Sequence, residues 1–80
     1  MRLDKFLKVS RIIKRRTVAN NACDAGRVFV NDRAVRASYD VKIGDVITVE
    51  FGTRNLKFKV ISLTESIKKE DAALMYTVIE

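Results

Sequence analysis

The chain has 80 residues, of which 48% are hydrophobic, and its 16 Lys and Arg outnumber its 10 Asp and Glu for a formal net charge of +6. This length and composition predict one small folded domain with a single modest core, without room for a separate catalytic domain. A single Cys and the absence of His exclude an internal disulfide and the usual zinc-binding sets within one chain. We therefore expect a reducing compartment, no metal and no cofactor.

The chain contains no apolar run that approaches the ~18 residues needed to span a bilayer. Its first residues also lack the uninterrupted hydrophobic segment of a signal peptide. We therefore expect a cytoplasmic protein without a membrane partner.

The charge is distributed unevenly along the chain. Residues 1–36 contain ten basic and three acidic side chains, a net charge of +7, whereas residues 37–80 carry a net charge of −1. A one-sided positive field attracts polyanions and accelerates their encounter with the protein. Nucleic acid and an anionic lipid surface are the candidate partners that this asymmetry indicates.

A short amphipathic helix is predicted at the start of the chain, because Leu3, Phe6 and Leu7 recur at helical spacing among basic residues. Residues 11–16 then form a basic connection. In this connection Ile12 and Ile13 can reach the core, while the flanking bases stay in water through their long aliphatic stems.

A second helix is predicted from Val18 to Ala25. Thr17 is the expected N-cap, and Gly26 is the expected C-terminal stop. The buried face of this helix is expected to be a narrow stripe of small residues, centred on Val18, Ala22 and Ala25 with Ala19 and Cys23 beside them.

From residue 27 the hydrophobic period changes to two, which predicts a series of strands separated by turns. Asn31-Asp32 is a polar pair suited to a tight turn between two of them. The predicted strands cover residues 27–31, 34–37, 46–51, 56–63 and 76–79, with a short helix between residues 64 and 73.

Four segments together resemble the S4-like RNA-binding domain, also called the αL motif: RLDKFL at residues 2–7, RT at 16–17, AGRVFVN at 25–31 and VKIGDVI at 41–47. The resemblance covers residues 1–51. It implies an α+β fold in which two N-terminal helices pack on a small bent, mostly antiparallel sheet and present a basic face to structured RNA. Residues 1–80 are then one domain, with the core motif in 1–51 and the C-terminal strands and short helix in 52–80.

Within that family the chain is similar to short, stand-alone members that act in bacterial ribosome quality control. Those factors bind large ribosomal subunits still obstructed by peptidyl-tRNA and support the protein that adds alanine tails to the stalled chain. The resemblance implies a non-enzymatic factor whose partners are large-subunit rRNA, the tRNA of peptidyl-tRNA and the alanine-tailing protein, with no small-molecule substrate. A ribosome assembly factor or a general RNA-binding regulator is the alternative.

Arg2 and Arg16 match the basic positions at the family's rRNA contact. A guanidinium donates a planar fork of hydrogen bonds to phosphate, so these two arginines can set the register of binding. Because exposed charges contribute little to folding, we expect their replacement to leave stability nearly unchanged. The other candidate RNA-binding residues are added from charge and location alone: Lys5, Lys8, Arg11, Lys14, Arg15, Arg27 and Arg36.

Several other residues have a structural interpretation beside a functional one. Asp4 could bond the helix start, offset a nearby arginine or touch a ribose 2′-hydroxyl, and the structural roles are favoured. Cys23 is predicted to fill the core, because no His exists to activate it. Phe51 and Phe58 are predicted to pack in the core rather than stack on bases, and both roles stay open for Tyr39.

Other classes of function have weaker support. A DNA-binding regulator stays open, because basic helices can enter a major groove. No catalytic residue is predicted, because the chain lacks a glycine-rich cofactor loop and any His-based constellation.

Overall fold

The computed structural model describes residues 1–64, 72 and 74–79. Within these residues the chain forms α1 (Leu3–Val9), α2 (Arg16–Asp24), β1 (Val28–Val30), β2 (Arg33–Ala34), β3 (Val46–Phe51), β4 (Arg54–Val60) and β5 (Tyr76–Val78). The strands form one antiparallel sheet in the order β2-β1-β3-β4-β5. This confirms the predicted α+β class, with two N-terminal helices and an antiparallel sheet.

The first helix packs on the sheet through the residues that its periodicity predicts. Leu3, Phe6 and Leu7 are fully buried. The ring of Phe6 stacks on Phe58 of β4 with centroids 6.3 Å apart, and Tyr76 of β5 meets Phe58 edge-on at 5.3 Å. Aromatic contacts therefore join α1 to both strands at one end of the sheet.

The start of α1 is held by the loop that links β2 to β3. The Leu3 N–H donates to the Tyr39 carbonyl at 2.8 Å, and the Val41 N–H donates to the Met1 carbonyl at 2.8 Å. Arg2 also forms an isolated antiparallel bridge with this loop. Because the loop pairs with the chain on both sides of Arg2, the backbone of Arg2 is fixed.

Helix α2 begins at Arg16, two residues earlier than predicted, and its N-cap is Arg15. Arg15 has extended backbone and makes no side-chain capping hydrogen bond, so the predicted capping role of Thr17 is wrong. The first helical residue, Arg16, makes a tertiary hydrogen bond to Asp4 of α1. Cap preference is a weak signal that such contacts override.

The buried face of α2 is also rotated from the prediction. Ala19 and Cys23 are buried, whereas Val18 is 52% exposed. At about 100° per residue, the buried stripe separates two flanks of the helix. Arg16 and Asn20 lie on one flank, and Val18 and Ala22 lie on the other.

The turn between β1 and β2 has both central residues in the left-handed region, with φ of 51° at Asn31 and 68° at Asp32. Val30 pairs with Arg33 across this two-residue loop, which is the geometry of a type I′ turn. The Asn31 side chain braces the turn, because its Nδ2 donates to Asp45 Oδ1 at 3.2 Å and its Oδ1 accepts from the Val46 N–H at 3.1 Å. The predicted tight turn is confirmed.

The strand that follows this turn is shorter than predicted, because β2 ends at Ala34 rather than Ala37. Ala37 is buried, and its N–H donates to Asp24 Oδ1 of α2 at 3.3 Å. The chain therefore leaves the sheet to cover the end of α2 and then pairs with the start of α1.

We expect Asp32→Gly to stabilise the protein by about 0.5 kcal/mol. Glycine adopts a positive φ without the steric cost that a Cβ imposes, and this gain exceeds the additional conformational entropy that glycine loses on folding. For a domain of this size the melting temperature should rise by about 2–4 °C. Thermal unfolding followed by circular dichroism checks this result. Asp32→Ala should lower the melting temperature, and equal effects of the two substitutions would contradict the assignment.

Two aromatic predictions have opposite outcomes. Phe58 is fully buried, as predicted, but Phe51 is 44% exposed, and its predicted core packing is wrong. Phe51 is the last residue of β3, beside the turn to β4. Alternation predicts which face of a sheet a side chain occupies but not where the covering layer ends.

Tyr39 has a structural role in the loop between β2 and β3. Its hydroxyl donates to Asp45 Oδ2 at 3.0 Å, and the residue is half-buried against the core. Burial is the main cause that raises the pKa of Tyr39 above its ordinary value, and this hydrogen bond raises it further. The side chain therefore braces the same carboxylate as Asn31 does.

The short helix predicted between residues 64 and 73 falls mainly on residues 65–71 and 73, which lie outside the described residues. Neither α1 nor α2, the helices of the described part, is long and apolar enough to cross a membrane.

Candidate nucleic-acid interface

A buried carboxylate lies in the first turn of α1. The side chain of Asp4 is only 3% exposed, and its Oδ1 accepts a hydrogen bond from the Lys5 backbone N–H at 2.8 Å. An acidic group at this position also complements the positive end of the helix. The structural interpretation of Asp4 is therefore confirmed.

Two arginines converge on this carboxylate, one immediately before α1 and one at the start of α2. Arg2 donates through Nε to Asp4 Oδ1 at 3.2 Å and through Nη2 to Oδ2 at 3.5 Å. Arg16 donates through Nε to Oδ2 at 3.4 Å. The side chains of Arg2 and Arg16 are 51% and 49% exposed, so each guanidinium faces the carboxylate on one side and solvent on the other. We refer to Arg2 and Arg16 as the arginine pair and to Asp4 as its carboxylate.

Asn20 is a fourth member of this group that sequence reasoning missed. It lies one turn after Arg16 on the same flank of α2, and its Nδ2 donates to Asp4 Oδ2 at 3.2 Å. Arg16, Thr17, Asn20 and Asp4 line a shallow depression of about 280 Å³. The i, i+4 spacing of Arg16 and Asn20 is the sequence signal that places both on one face.

The charge state of Asp4 follows from these contacts. Burial raises the pKa of Asp4, but hydrogen bonds from Arg2, Asn20, the Lys5 backbone N–H and Arg16 lower it by more, so that the net pKa lies below the ordinary value. Asp4 is therefore ionised at neutral pH, and the arginine pair shares one full negative charge.

We expect this network to make stability depend on acid pH. The folded pKa of Asp4 lies below its unfolded value, so the network's contribution is fully present above about pH 4 and is lost as the pH falls through the folded pKa. The difference in unfolding free energy between wild type and Asp4→Asn should therefore be largest at pH 7 and shrink below about pH 4. Denaturant unfolding at several pH values measures it. A difference that stays constant down to pH 2.5 would contradict this linkage.

The arrangement also changes an expectation about stability. Replacing both arginines would leave the buried Asp4 carboxylate with only the Asn20 side chain and the Lys5 N–H. A buried charge that loses its partners destabilises the fold. We therefore expect this replacement to lower the stability of the fold measurably. This differs from the expectation from sequence, which treated the two arginines as simple exposed charges.

The structure does not bring all the predicted basic residues to the arginine pair. Lys14 and Arg27 line a groove on the other flank of α2. Arg36 lies beside Asp24 in a separate depression. RNA contact by any of these residues stays a prediction. The remaining candidates lie on α1 or in the connection to α2, half-buried at Lys5 and exposed at Lys8, Arg11 and Arg15.

The groove beside Lys14 and Arg27 is mainly apolar and has a volume of about 520 Å³. It runs between the α1–α2 connection, the Val18 and Ala22 flank of α2 and the end of β3. Phe51 contributes its exposed ring at this position. The other lining residues are Ile12, Ile13, Val49, Glu50 and Gly52.

Cys23 is fully buried on the inner face of α2, which confirms its prediction as core filler. Burial is the main cause that raises the pKa of this thiol, to about 12, with smaller contributions from the charges of Asp4 and Asp24. The thiol is therefore protonated at neutral pH and inert as a nucleophile.

Comparison of the sequence with known proteins agrees with this fold. A family model described as the S4 domain matches residues 1–47. The chain is 52% identical over 80 residues to the RQC P-site tRNA stabilizing factor of Bacillus subtilis, covering 100% of this chain and 93% of that protein. It is 53% identical over 79 residues to the protein of the same name from Streptococcus pneumoniae, covering 99% of this chain and 90% of that protein.

A solved structure shares the same architecture. The trimeric structure of Vibrio cholerae Heat Shock Protein 15 superposes with a TM-score of 0.90 at 28% identity, over 99% of this chain and 81% of that one. The matched family model covers more than half of the chain, and the two named relatives match nearly all of it. The chain therefore belongs to the S4 domain family and, within it, to the family of the RQC P-site tRNA stabilizing factors.

Proposed function

We propose that this protein is a non-enzymatic RNA-binding factor of bacterial ribosome quality control. It stabilises the P-site tRNA on a large ribosomal subunit obstructed by peptidyl-tRNA and supports C-terminal alanine tailing of the stalled chain. Support comes from relatives named RQC P-site tRNA stabilizing factor, which are 52% and 53% identical over nearly the whole chain. The site of action is the cytoplasm, where ribosomes are found.

The observation that carries this proposal is the arginine pair on its buried carboxylate. Structured RNA presents phosphates and 2′-hydroxyls across a shallow minor groove, which proteins read by shape and charge. Arginines suit this surface because a guanidinium can donate two parallel hydrogen bonds to one phosphate. Arg2 and Arg16 each expose about half of the side chain, and Arg16 lines the depression on the flank of α2 that we propose to face RNA.

The proposed RNA partners are large-subunit rRNA and the tRNA of peptidyl-tRNA. Both present the same phosphate chemistry to a protein, and the candidate basic residues of α1 and of the α1–α2 connection extend beyond the arginine pair: Lys5, Lys8, Arg11, Lys14 and Arg15. A positive region of this extent can contact two RNA molecules that lie side by side. The alanine-tailing protein is the proposed protein partner, on the strength of the family resemblance.

The direct test is alanine tailing of a stalled reporter in cells that lack the protein. Wild type should restore the tails, and Arg2→Ala/Arg16→Ala should not. The matched control is Arg33→Ala/Arg54→Ala, which removes the same charge from two exposed positions on strands and should restore tailing. If wild type fails to restore the tails, the quality-control role is wrong. If the Arg2→Ala/Arg16→Ala variant restores them, the role of the arginine pair is wrong.

We expect binding to large subunits to weaken steeply with salt. If the protein neutralises about six phosphates on duplex RNA, the slope of log affinity against log salt should be near −5. Fluorescence anisotropy of the labelled protein over a range of salt concentrations measures this slope. A flat dependence would rule out binding through phosphates.

A further inference from the structure

The carboxylate of Asp4 has no capacity left for an RNA ligand. Oδ1 accepts from the Lys5 N–H and Arg2 Nε, and Oδ2 accepts from Arg2 Nη2, Arg16 Nε and Asn20 Nδ2. A carboxylate offers about four lone-pair sites, so these contacts occupy it. With a side chain only 3% exposed, Asp4 can influence bound RNA only through the groups that it holds.

Arg2 is anchored to Asp4 by one edge of its guanidinium, and Arg16 is anchored by its Nε. A guanidinium is planar and carries five N–H donors in fixed directions. Arg16 commits Nε to Asp4, so Nη1 and Nη2 lie outside this contact, and Arg2 commits Nε and Nη2. The two contacts of Arg2 determine the direction of its opposite edge, and the Nε contact of Arg16 restricts the directions of its Nη1 and Nη2 groups.

The separation of the two guanidiniums is also determined, because both bond the same carboxylate. Arg2 immediately precedes α1, and Arg16 is the first residue of α2. Asp4 therefore binds one guanidinium at the start of each helix. An untethered arginine loses rotamer freedom when it binds RNA. An arginine that is already bonded to Asp4 has lost part of that freedom before the RNA binds.

We propose that Asp4 is a positioning residue for RNA recognition, which holds the guanidiniums of Arg2 and Arg16 at one separation so that the pair accepts the phosphates of structured RNA in a single geometry. This inference rests on the proposed function. The positioning role predicts a change in RNA affinity opposite to the change that net charge alone predicts. Asp4→Asn raises the net charge from +6 to +7, which by itself strengthens RNA binding, whereas loss of positioning weakens binding to the specific target.

The test compares wild type with Asp4→Asn and with the control Asp32→Asn, which makes the same chemical change in an exposed turn. Asn tolerates the left-handed backbone of residue 32. Affinities are measured at one salt concentration for large subunits carrying peptidyl-tRNA and for an unrelated RNA duplex. Asp4→Asn should bind the subunits about tenfold more weakly and the duplex equally or more tightly. Asp32→Asn should lose no affinity for either RNA.

Two outcomes for Asp4→Asn would overturn the positioning role. One is an affinity for subunits equal to that of wild type. The other is an equal loss toward both RNAs with a lowered melting temperature, which indicates a purely structural role. If wild type itself does not distinguish the subunits from the duplex, the proposed function fails instead, so the two failures are separable.

The coupling between Asp4 and the arginines provides a second readout. In the Arg2→Ala/Arg16→Ala background, Asp4→Asn should cause no further loss of subunit affinity, because the groups through which it acts are absent. A further tenfold loss in that background would contradict the proposal.

A measurement on the wild-type protein covers the case in which Asp4→Asn does not fold. Arginine side-chain NMR should show the Nε–H groups of Arg2 and Arg16 as ordered and slowly exchanging, in contrast to those of Arg11 and Arg33. Equal mobility of all four groups would overturn the proposal.

Discussion

Replacing Arg2 and Arg16 together by Ala is expected to weaken binding to large ribosomal subunits by at least about 30-fold. An arginine in a bidentate contact contributes about 1–3 kcal/mol, and the two guanidiniums are held ready on the exposed side of Asp4. Equilibrium binding of labelled protein to purified subunits measures the loss. The control variant Arg33→Ala/Arg54→Ala changes the net charge equally and should lose much less affinity.

The same double substitution should also destabilise the fold, by about 1–2 kcal/mol. The loss of two partners from a buried carboxylate is costly, but the half-exposed arginines leave an opening through which water can reach Asp4. Adding Asp4→Asn removes the stranded charge and should recover stability without recovering binding. If the triple variant binds subunits as wild type does, the arginines are not the RNA contacts.

Phe58→Ala is expected to cause the largest loss of stability of any single substitution described here, about 3–5 kcal/mol. Phe58 is fully buried and contacts both Phe6 and Tyr76, so its truncation leaves a cavity between α1 and the sheet. A domain of 80 residues has a total stability of only about 4–12 kcal/mol, so the variant should be partly or wholly unfolded at 37 °C. Denaturant unfolding monitored by circular dichroism measures the change.

Phe51→Ala is the matched control for this substitution. It removes the same side chain from a position that is 44% exposed at the end of β3. We expect a cost below about 1 kcal/mol, because a half-exposed ring leaves no closed cavity. Similar costs at the two positions would contradict the assignment of Phe58 to the core.

Local pattern was sufficient to predict much of this fold. The helical spacing of Leu3, Phe6 and Leu7 predicted the buried face of α1, and alternation predicted β3 and β4. These features depend on which residues lie near each other in sequence. The RLDKFL and VKIGDVI segments, which carried the family resemblance, contain Leu3 and Val41, whose N–H groups donate the hydrogen bonds on either side of Arg2.

Local sequence pattern could not predict the features that depend on tertiary contacts. The family resemblance selected Arg2 and Arg16, but it did not predict their convergence on Asp4, because the Arg16 contact spans 12 residues and two helices. Helix α2 begins at Arg16 with Arg15 as its N-cap, whereas cap preference favoured Thr17. Asn20 was missed because a neutral amide carries no charge signal.

The candidate RNA-binding residues were therefore predicted as a set of charges and not as an arrangement. Sequence position grouped Lys14 with Arg16, yet the two side chains line different depressions on either side of α2. Lys14 lies in the connection that precedes α2, whereas Arg16 is the first residue of the helix, so proximity along the chain does not imply a shared surface.

A sucrose-gradient profile of the tagged protein in cell lysate, with fractions probed for peptidyl-tRNA, tests the central claim most directly. We expect wild type to migrate with large subunits that retain peptidyl-tRNA, and Arg2→Ala/Arg16→Ala to stay at the top of the gradient. Migration of wild type with small subunits or assembly precursors would contradict the claim in favour of an assembly factor. Wild type at the top of the gradient would contradict it in favour of an RNA-binding regulator that acts away from the ribosome.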